Sequence, residues 1–148
     1  MKFKNFIKIF FAILFVFVST HSYAKTIKWS MQGDSLTLDP HAQNEGPTTQ
    51  VSRQVYEALV TRGLDMSIEP QLATDWKTTD PNTWVFNLRK DVKFSDGTDM
   101  TAKDVVFSIL RAKQPTSDFK EYISTISDVK EIDNYTVQVL SLIHISEP

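Results

Sequence analysis

The stretch IEPQLATDWKTTDPNTWVFNLRKDVKFSDGTDMTAKDVVFSILRA, residues 68–112, holds the patterns that decide the fold. Within it, residues 84–88 (WVFNL) alternate so that tryptophan, phenylalanine and leucine share one face, which predicts a strand with one buried side. The turn residues Asp-Pro-Asn at 80–82 precede this strand, so we expect an antiparallel hairpin with the extended residues 75–78. A short further strand is expected at residues 92–94.

Three aspartates follow the hairpin, at Asp96, Asp99 and Asp104. Asp96 and Gly97 form a turn dipeptide, because the carboxylate bonds to nearby backbone and glycine adopts the positive φ that other residues avoid. We expect Asp99 to face the solvent.

The third aspartate marks the start of a helix. Thr101 stands three residues before Asp104 and directly precedes an apolar stripe, which is the capping-box arrangement with aspartate in place of the usual glutamate. An acid in this position also suits the positive end of the helix dipole. We expect the helix to run to about Ala112, because Pro115 prevents its continuation.

Clustered carboxylates can also bind a metal ion or act as acid and base. An EF-hand calcium loop requires ligands at alternate positions, whereas these acids are spaced three and five residues apart. A glycosidase pair requires two carboxylates that face each other across a sugar, which one turn does not provide. We therefore predict no catalytic residue and no metal site. A secreted hydrolase that uses these aspartates is the alternative from another functional class.

On the N-terminal side, apolar residues at alternate positions predict a strand over residues 26–31. The valines and the leucine at 51, 55 and 59 then fall on one face of a helix. We expect Thr48 or Thr49 to be the N-cap of this helix. Gly63 is the expected left-handed residue at its C-terminal end.

On the C-terminal side, residues 121–142 predict a helical turn and two strands that meet around Asp133 and Asn134. The whole pattern mixes strands with helices and lacks strict β–α–β alternation. It indicates an α/β domain with a mixed sheet.

The first 24 residues have the pattern of a secretory signal peptide. Three lysines precede an apolar run over residues 9–18, and Ser22 and Ala24 place small residues where signal peptidase cuts. The run is about half as long as the roughly twenty residues that span a bilayer. We expect cleavage after Ala24 and export of the rest of the chain.

The composition of the exported chain excludes several classes of partner and of site chemistry. Without the signal peptide, 13 of the 16 basic residues remain against 18 acidic ones, and this net charge of about −5 argues against nucleic acid. The chain has no cysteine, so it forms no disulfide and lacks the lipobox cysteine of a lipoprotein. His41 and His144 are too far apart for a zinc pair, and His41 is expected on the surface or at a cap. We predict no cofactor and a soluble periplasmic protein.

Six short motifs follow one another at suitable spacing: LDPH (38–41), YEAL (56–59), PQLATDW (70–76), FNLR (86–89), VKFSDGT (92–98) and TAKDV (101–105). In this order they resemble the N-terminal part of extracellular solute-binding protein family 5, the receptors of oligopeptide, dipeptide and nickel ABC importers. Each motif alone is a weak signal, whereas six in order are specific. The resemblance covers about residues 36–112 and continues more loosely to Val139.

The resemblance implies a two-lobed, mixed-sheet α/β fold of the type II periplasmic-binding-protein class, in which residues 25–140 form the N-terminal part of lobe I. It implies a monomeric receptor that captures di- or oligopeptides in the periplasm, delivers them to the permease subunits of an ABC importer at the inner membrane, and catalyses nothing. A receptor of the same fold for nickel, haem or an oligosaccharide is the alternative within the family, because a shared fold accommodates different solutes.

Peptide-binding relatives hold the ligand main chain against the segment that follows the Asp-Pro-His motif. In this chain the segment is NEGPTTQ, and the resemblance indicates Gly46, Pro47, Thr48 and Thr49 as ligand contacts. An extended peptide can pair with an exposed backbone edge, which gives affinity without side-chain specificity. An ordinary loop and helix cap is the alternative for these residues. Tyr122 is a looser candidate for an aromatic side chain in the same cleft.

The chain is short for this family, whose members continue into a second lobe that supplies much of the ligand pocket. The final residues SLIHISEP, at 141–148, fit neither the family nor a strand pattern and resemble translated sequencing adapter. We therefore expect these residues to be non-native and the chain to be a truncated fragment.

Overall fold

The computed structural model describes residues 26–143. The chain divides into two compact units, Met1–Ser30 and Met31–Pro148. Of the first unit only residues 26–30 are described, and they form neither helix nor strand. The predicted signal peptide and residues 144–148 of the expected non-native tail lie outside the described residues.

The described residues form two antiparallel sheets and two helices. A two-stranded sheet pairs β1 with β2, and a four-stranded sheet has the order β3-β4-β6-β5. None of the described helices is long and apolar enough to cross a bilayer. The elements are, in chain order, α1 (Gly46–Val55), β1 (Val60–Arg62), β2 (Ile68–Pro70), β3 (Ala73–Asp80), β4 (Thr83–Leu88), α2 (Ala102–Ala112), β5 (Ile126–Asp133) and β6 (Thr136–Ser141).

The central hairpin of the sheet is the one that the alternation at 84–88 predicts. Strands β3 and β4 pair antiparallel, with Trp76 opposite Phe86. On its other side β4 pairs with β6, where Phe86 faces Val137. The second predicted hairpin is also present, because β5 and β6 pair around the turn that follows Asp133. Both hairpin predictions are confirmed, and every strand pair in the described residues is antiparallel.

Helix α2 covers the apolar face of the four-stranded sheet. Val105 and Ala102 point inwards, and Ala102 is completely buried. Val137 lies opposite on β6 and is also 0% exposed. Spacing of three to four residues places these helix side chains on one face, while period two does the same for the strands. The core comprises Leu88, Met100, Ala102, Val105, Val129, Val137 and Val139.

Two of the predicted strands do not form. Residues 26–31 have no regular secondary structure, because alternation along a chain does not by itself supply the neighbouring strand that a strand must pair with. Residues 92–94 contribute only an isolated antiparallel bridge between Lys93 and Asp99. Backbone hydrogen bonds flank the bridge, from the Phe94 N–H to the Thr98 carbonyl oxygen at 2.9 Å and from the Met100 N–H to the Val92 carbonyl oxygen at 3.0 Å, but no further bridge follows, because α2 begins at Ala102.

The predicted bounds of the first helix are wrong at both ends. Helix α1 begins at Gly46 with Glu45 as its N-cap, and it ends at Val55. Beyond this point the chain is extended, because the backbone of residues 58–59 accepts hydrogen bonds from residues 71–73 instead of continuing the helix. Packing against the sheet core therefore overrides the four-residue spacing of the apolar side chains.

Gly63 does not end a helix. It lies in the turn between β1 and β2, where its N–H donates to the Ser67 carbonyl oxygen at 2.9 Å. The left-handed residue of this turn is Met66, with φ of 71°.

The turn and the cap predicted for the aspartate cluster are confirmed. Gly97 has φ of +90°, and the Asp96 carboxylate accepts from the Thr98 N–H at 2.9 Å. At the start of α2 the Asp104 carboxylate accepts from the Thr101 N–H at 2.8 Å and from its hydroxyl at 3.0 Å. Each carboxylate stabilises local backbone, as the structural interpretation predicts.

Substitution of Asp104 should weaken the start of α2. We expect Asp104→Ala to lower the free energy of unfolding by about 1 kcal/mol, because the first turn loses its acceptor. Asp99→Ala is the control, since it removes an equal charge from an exposed ion pair with Lys93, and it should stay within about 0.5 kcal/mol of the wild type. Urea denaturation of the complete gene product measures both, and equal losses would contradict the cap.

Substitution of Gly97 should strain the turn. A Cβ there meets no atom within 4 Å. Any loss of stability is therefore due to strain in the left-handed backbone alone. We expect Gly97→Ala to cost about 1 kcal/mol in the same denaturation assay. Gly46→Ala is the matched control, because its Cβ also enters open space without a positive φ. If both variants were as stable as the wild type, the turn would carry no such strain.

Candidate functional site

The residues that the resemblance indicates as ligand contacts lie at the start of α1. Gly46 is exposed, and Pro47 is half-buried. Thr48 is only 1% exposed. Its hydroxyl donates to the Glu45 carboxylate and accepts from the Leu36 N–H at 3.1 Å. The side chain of Thr48 is therefore engaged inside the protein.

Thr49 is half-buried, and its N–H donates to the Glu45 carbonyl oxygen at 3.0 Å. The Glu45 carboxylate also receives the Thr48 N–H at 3.2 Å. Because this carboxylate occupies the helix N-terminus, the end of α1 is a poor place for the carboxylate of a ligand.

The backbone just before α1 is open for pairing. No hydrogen bond among the described residues uses the N–H groups of residues 43–45 or the carbonyl oxygens of residues 42–44. Glu45 itself is extended, with φ of −116° and ψ of 157°. Unpaired N–H and C=O groups on an extended backbone are what a β-like peptide contact requires. We call residues 42–46 the contact segment.

An aromatic group from the far end of the described chain lies beside the contact segment. The Asn44 side-chain amide donates to the Tyr122 hydroxyl at 2.9 Å, across 78 residues of sequence. Tyr122 is 71% exposed, and its ring lies 6.0 Å from that of Phe119. The structure thus brings Tyr122, the loosest of the candidates, into contact with Asn44 of the contact segment.

A charged cluster fixes the chain just before the contact segment. Arg111, in the last turn of α2, donates from Nη1 to Asp39 Oδ1 at 2.8 Å and from Nη2 to Oδ2 at 2.5 Å. Its Nη1 also lies 3.1 Å from His41 Nδ1. The hydrogen bonds from Arg111 and from the His41 N–H lower the pKa of Asp39 to about 2. Burial, with the positive charge of Arg111, lowers the pKa of His41 below 6.5.

Sequence reasoning missed this cluster. Among the sequence patterns, Asp39 belongs only to the LDPH motif, and Arg111 carries no prediction. The available signals were an Asp-Pro-His motif and a basic residue in the last turn of a helix. Neither signal could pair residues 72 positions apart.

Other concave surfaces in the described part of the chain are less suited to a ligand. A cleft of about 900 Å³ lies at one end of the sheet, where Arg89, Lys90, Asp91 and Asp133 surround it with both signs of charge. Among the described residues, no group of three or more histidine, aspartate or glutamate side chains is arranged to hold a metal ion.

A model of the "Bacterial extracellular solute-binding proteins, family 5 Middle" matches residues 67–141, about half of the chain. The chain belongs to this family. The matched region of this family 5 protein contains the four-stranded sheet, α2 and the turn at Gly97. The predicted family is confirmed.

Relatives and solved structures of the family agree with this assignment. Periplasmic oligopeptide-binding protein OppA of Escherichia coli K12 is 35% identical over 131 residues, which cover 76% of this chain and 23% of OppA. The structure of the Escherichia coli murein tripeptide binding protein MppA matches with a TM-score of 0.74 and 29% identity, over 78% of this chain and 26% of MppA. MoaA of A. tumefaciens R10, solved with mannopinic acid, has a TM-score of 0.70 and 34% identity, over 76% of this chain and 24% of MoaA.

The family 5 chain spans about a quarter of the length of these relatives. The structures that it matches are type II periplasmic binding proteins. The described residues are therefore a partial α/β lobe of that fold, and the predicted fold class is confirmed.

The ionised Asp39 carboxylate should stabilise the fold in a pH-dependent way. Its pKa is lowered to about 2 in the folded protein, so the stabilisation is complete above its unfolded pKa of about 4 and disappears as the pH falls through about 2. Asp39→Asn should be less stable than the wild type at pH 7, and this difference should shrink from pH 4 to pH 2. Urea denaturation at each pH tests it, and a difference that stays constant would contradict it.

Proposed function

We propose that the protein is the periplasmic substrate-binding component of an ABC importer that captures di- or oligopeptides. The observation that carries this proposal is the open backbone of the contact segment, in a chain of the family to which OppA and MppA belong. A receptor for peptides of different sequence must bind what all peptides share, which is their main chain. Backbone pairing does this without reading side chains.

The surroundings of the contact segment support a peptide ligand. Tyr122 and Phe119 offer exposed and half-buried aromatic rings beside the open backbone. Aromatic rings accept apolar and polar side chains alike, since they combine a large apolar surface with a polar edge or hydroxyl. Gly46 leaves the approach free, because no atom lies within 4 Å of the position that its Cβ would occupy.

A different solute is the second candidate within the family. MoaA, which is as similar in structure as the peptide-binding relatives, was solved with mannopinic acid. Nickel, haem or an oligosaccharide therefore remain as alternatives, since the solute changes within one fold.

We further propose that the protein is not an enzyme. Asp96, Asp99 and Asp104 are each committed to local contacts: a turn, an ion pair with Lys93 and a helix cap. The expected signal peptide agrees with a periplasmic location, and the proposed partners are a peptide and the permease subunits at the inner membrane. We propose a monomer, because hinge closure over a ligand needs only one chain.

Ligand-dependent thermal stability of the complete gene product tests the proposed function. A true ligand raises the unfolding temperature by mass action. The panel contains di- to pentapeptides, Ni²⁺, haem, an oligosaccharide and mannopinic acid. We expect a concentration-dependent rise with peptides and none with the others. A rise with only one of the non-peptides would overturn the peptide assignment and identify the alternative.

A variant of Gly46 tests whether the contact segment touches the ligand. Gly46→Val adds bulk to an open, exposed position, so it should leave the fold intact and weaken peptide binding about tenfold by blocking the backbone. Gln54→Val is the control, because it places the same valine side chain at an exposed position near the other end of α1. Isothermal titration calorimetry measures both. Equal affinities for Gly46→Val and the wild type would exclude the contact.

A further inference from the structure

The chain that carries the contact segment lacks the usual support of regular secondary structure. Residues 31–45 contain no helix and no strand, so no ladder of backbone hydrogen bonds holds them against the rest of the lobe. Their position depends mainly on contacts of side chains. Such a segment samples many conformations unless specific contacts restrict it.

The strongest of these contacts joins the segment to α2. The Arg111 guanidinium donates to both carboxylate oxygens of Asp39. A bidentate pair of this kind fixes the orientation of the two side chains as well as their distance. His41, two residues later, adds an acceptor for the same guanidinium at 3.1 Å. The cluster thus ties two points of the segment to one side chain of a helix that is packed on the sheet.

Further bonds complete the attachment on either side of the cluster. The His41 carbonyl oxygen accepts from the Asp118 N–H at 3.0 Å, and the His41 ring contacts Phe119 edge to face at 6.4 Å. The Tyr56 hydroxyl donates to the Leu38 carbonyl oxygen at 2.8 Å. Beyond this point the contact segment is attached by Asn44, through its bond to Tyr122, and by Glu45, which caps α1.

We propose that Asp39, His41 and Arg111 form a positioning clamp that holds the contact segment and Tyr122 in register for a ligand. These three are positioning residues, because their side chains bond to one another and not to the open backbone of residues 43–45. The inference rests on the proposed function for the identity of the ligand. It goes beyond that function because it assigns a role to side chains outside the proposed ligand contacts.

The clamp acts by reducing the entropy that binding must overcome. A segment already held in its bound geometry loses less freedom when the ligand pairs with it, so affinity rises without any new contact. Loss of the clamp should therefore raise Kd and speed dissociation, while the chemical preference among peptides stays the same. Burial and the positive charge of Arg111 lower the pKa of His41, which favours the neutral ring, whose Nδ1 can accept from Arg111.

The experiment compares three clamp variants with a matched control in the complete gene product. Arg111→Ala removes the clamp, Arg111→Lys keeps the charge but loses the two-point grip, and Asp39→Asn keeps the shape of the carboxylate. Arg89→Ala is the control, because Arg89 loses the same charge from an exposed pair with its near neighbour Asp91. Peptide Kd is measured by calorimetry, and hydrogen exchange is followed at residues 42–49 without ligand.

We expect the clamp variants to weaken peptide binding about tenfold and to speed amide exchange at Ala42, Thr48 and Thr49, whose N–H groups are hydrogen-bonded, with Arg89→Ala equal to the wild type. The exchanged pair Asp39→Arg with Arg111→Asp should restore part of both losses, which a general loss of stability would not allow. Should Arg111→Ala fail to fold, Asp39→Asn and the exchanged pair still decide the question.

Wild-type affinity and unchanged exchange in the clamp variants would overturn the inference. If the wild type itself binds no peptide, the proposed function fails, whereas exchange at residues 42–49 still tests the clamp in the free protein. The two failures are therefore distinguishable.

Discussion

Burial of one face of α2 against β4, β5 and β6 is the constraint on which the described lobe depends. Strand β4 is bonded on both sides, so its apolar residues cannot turn outwards without breaking two ladders. Val137 and Ala102 belong to the same core cluster, and neither has exposed surface. The aspartates at the start of α2 serve this packing, because the turn at Gly97 and the cap at Asp104 set where the helix begins.

The candidate site is built outside this core and by different means. Its backbone belongs to a coil, and α2 positions it through the guanidinium of Arg111. The helix therefore has two roles: its inner face completes the core, and its last turn holds Asp39 and His41. Because the inner face of α2 is packed on the sheet, its last turn can hold the contact segment in a fixed position. Ligand-binding loops are commonly held by a rigid scaffold in this way.

The sequence predicted the hairpins, the turn and the second helix because each depends on signals within a few residues. The alternation of apolar and polar side chains identified β4, and a threonine three residues before an aspartate identified the start of α2. The first helix was placed wrongly because Leu59 packs against the sheet core, whereas the four-residue spacing of the apolar side chains, taken alone, fits a helix. The strand over residues 26–31 failed for a related reason, since alternation cannot supply a partner.

The sequence by itself determined the family, the order of elements and the structural role of the aspartates, because ordered motifs and local hydrogen bonds are properties of short segments. Only the tertiary structure decided that Asn44 meets Tyr122, that Thr48 is engaged inside, and that Arg111 holds Asp39. These contacts join residues 70 or more positions apart, or depend on burial. Their geometry follows from how α2 and the segment after it pack, and no local pattern encodes that packing.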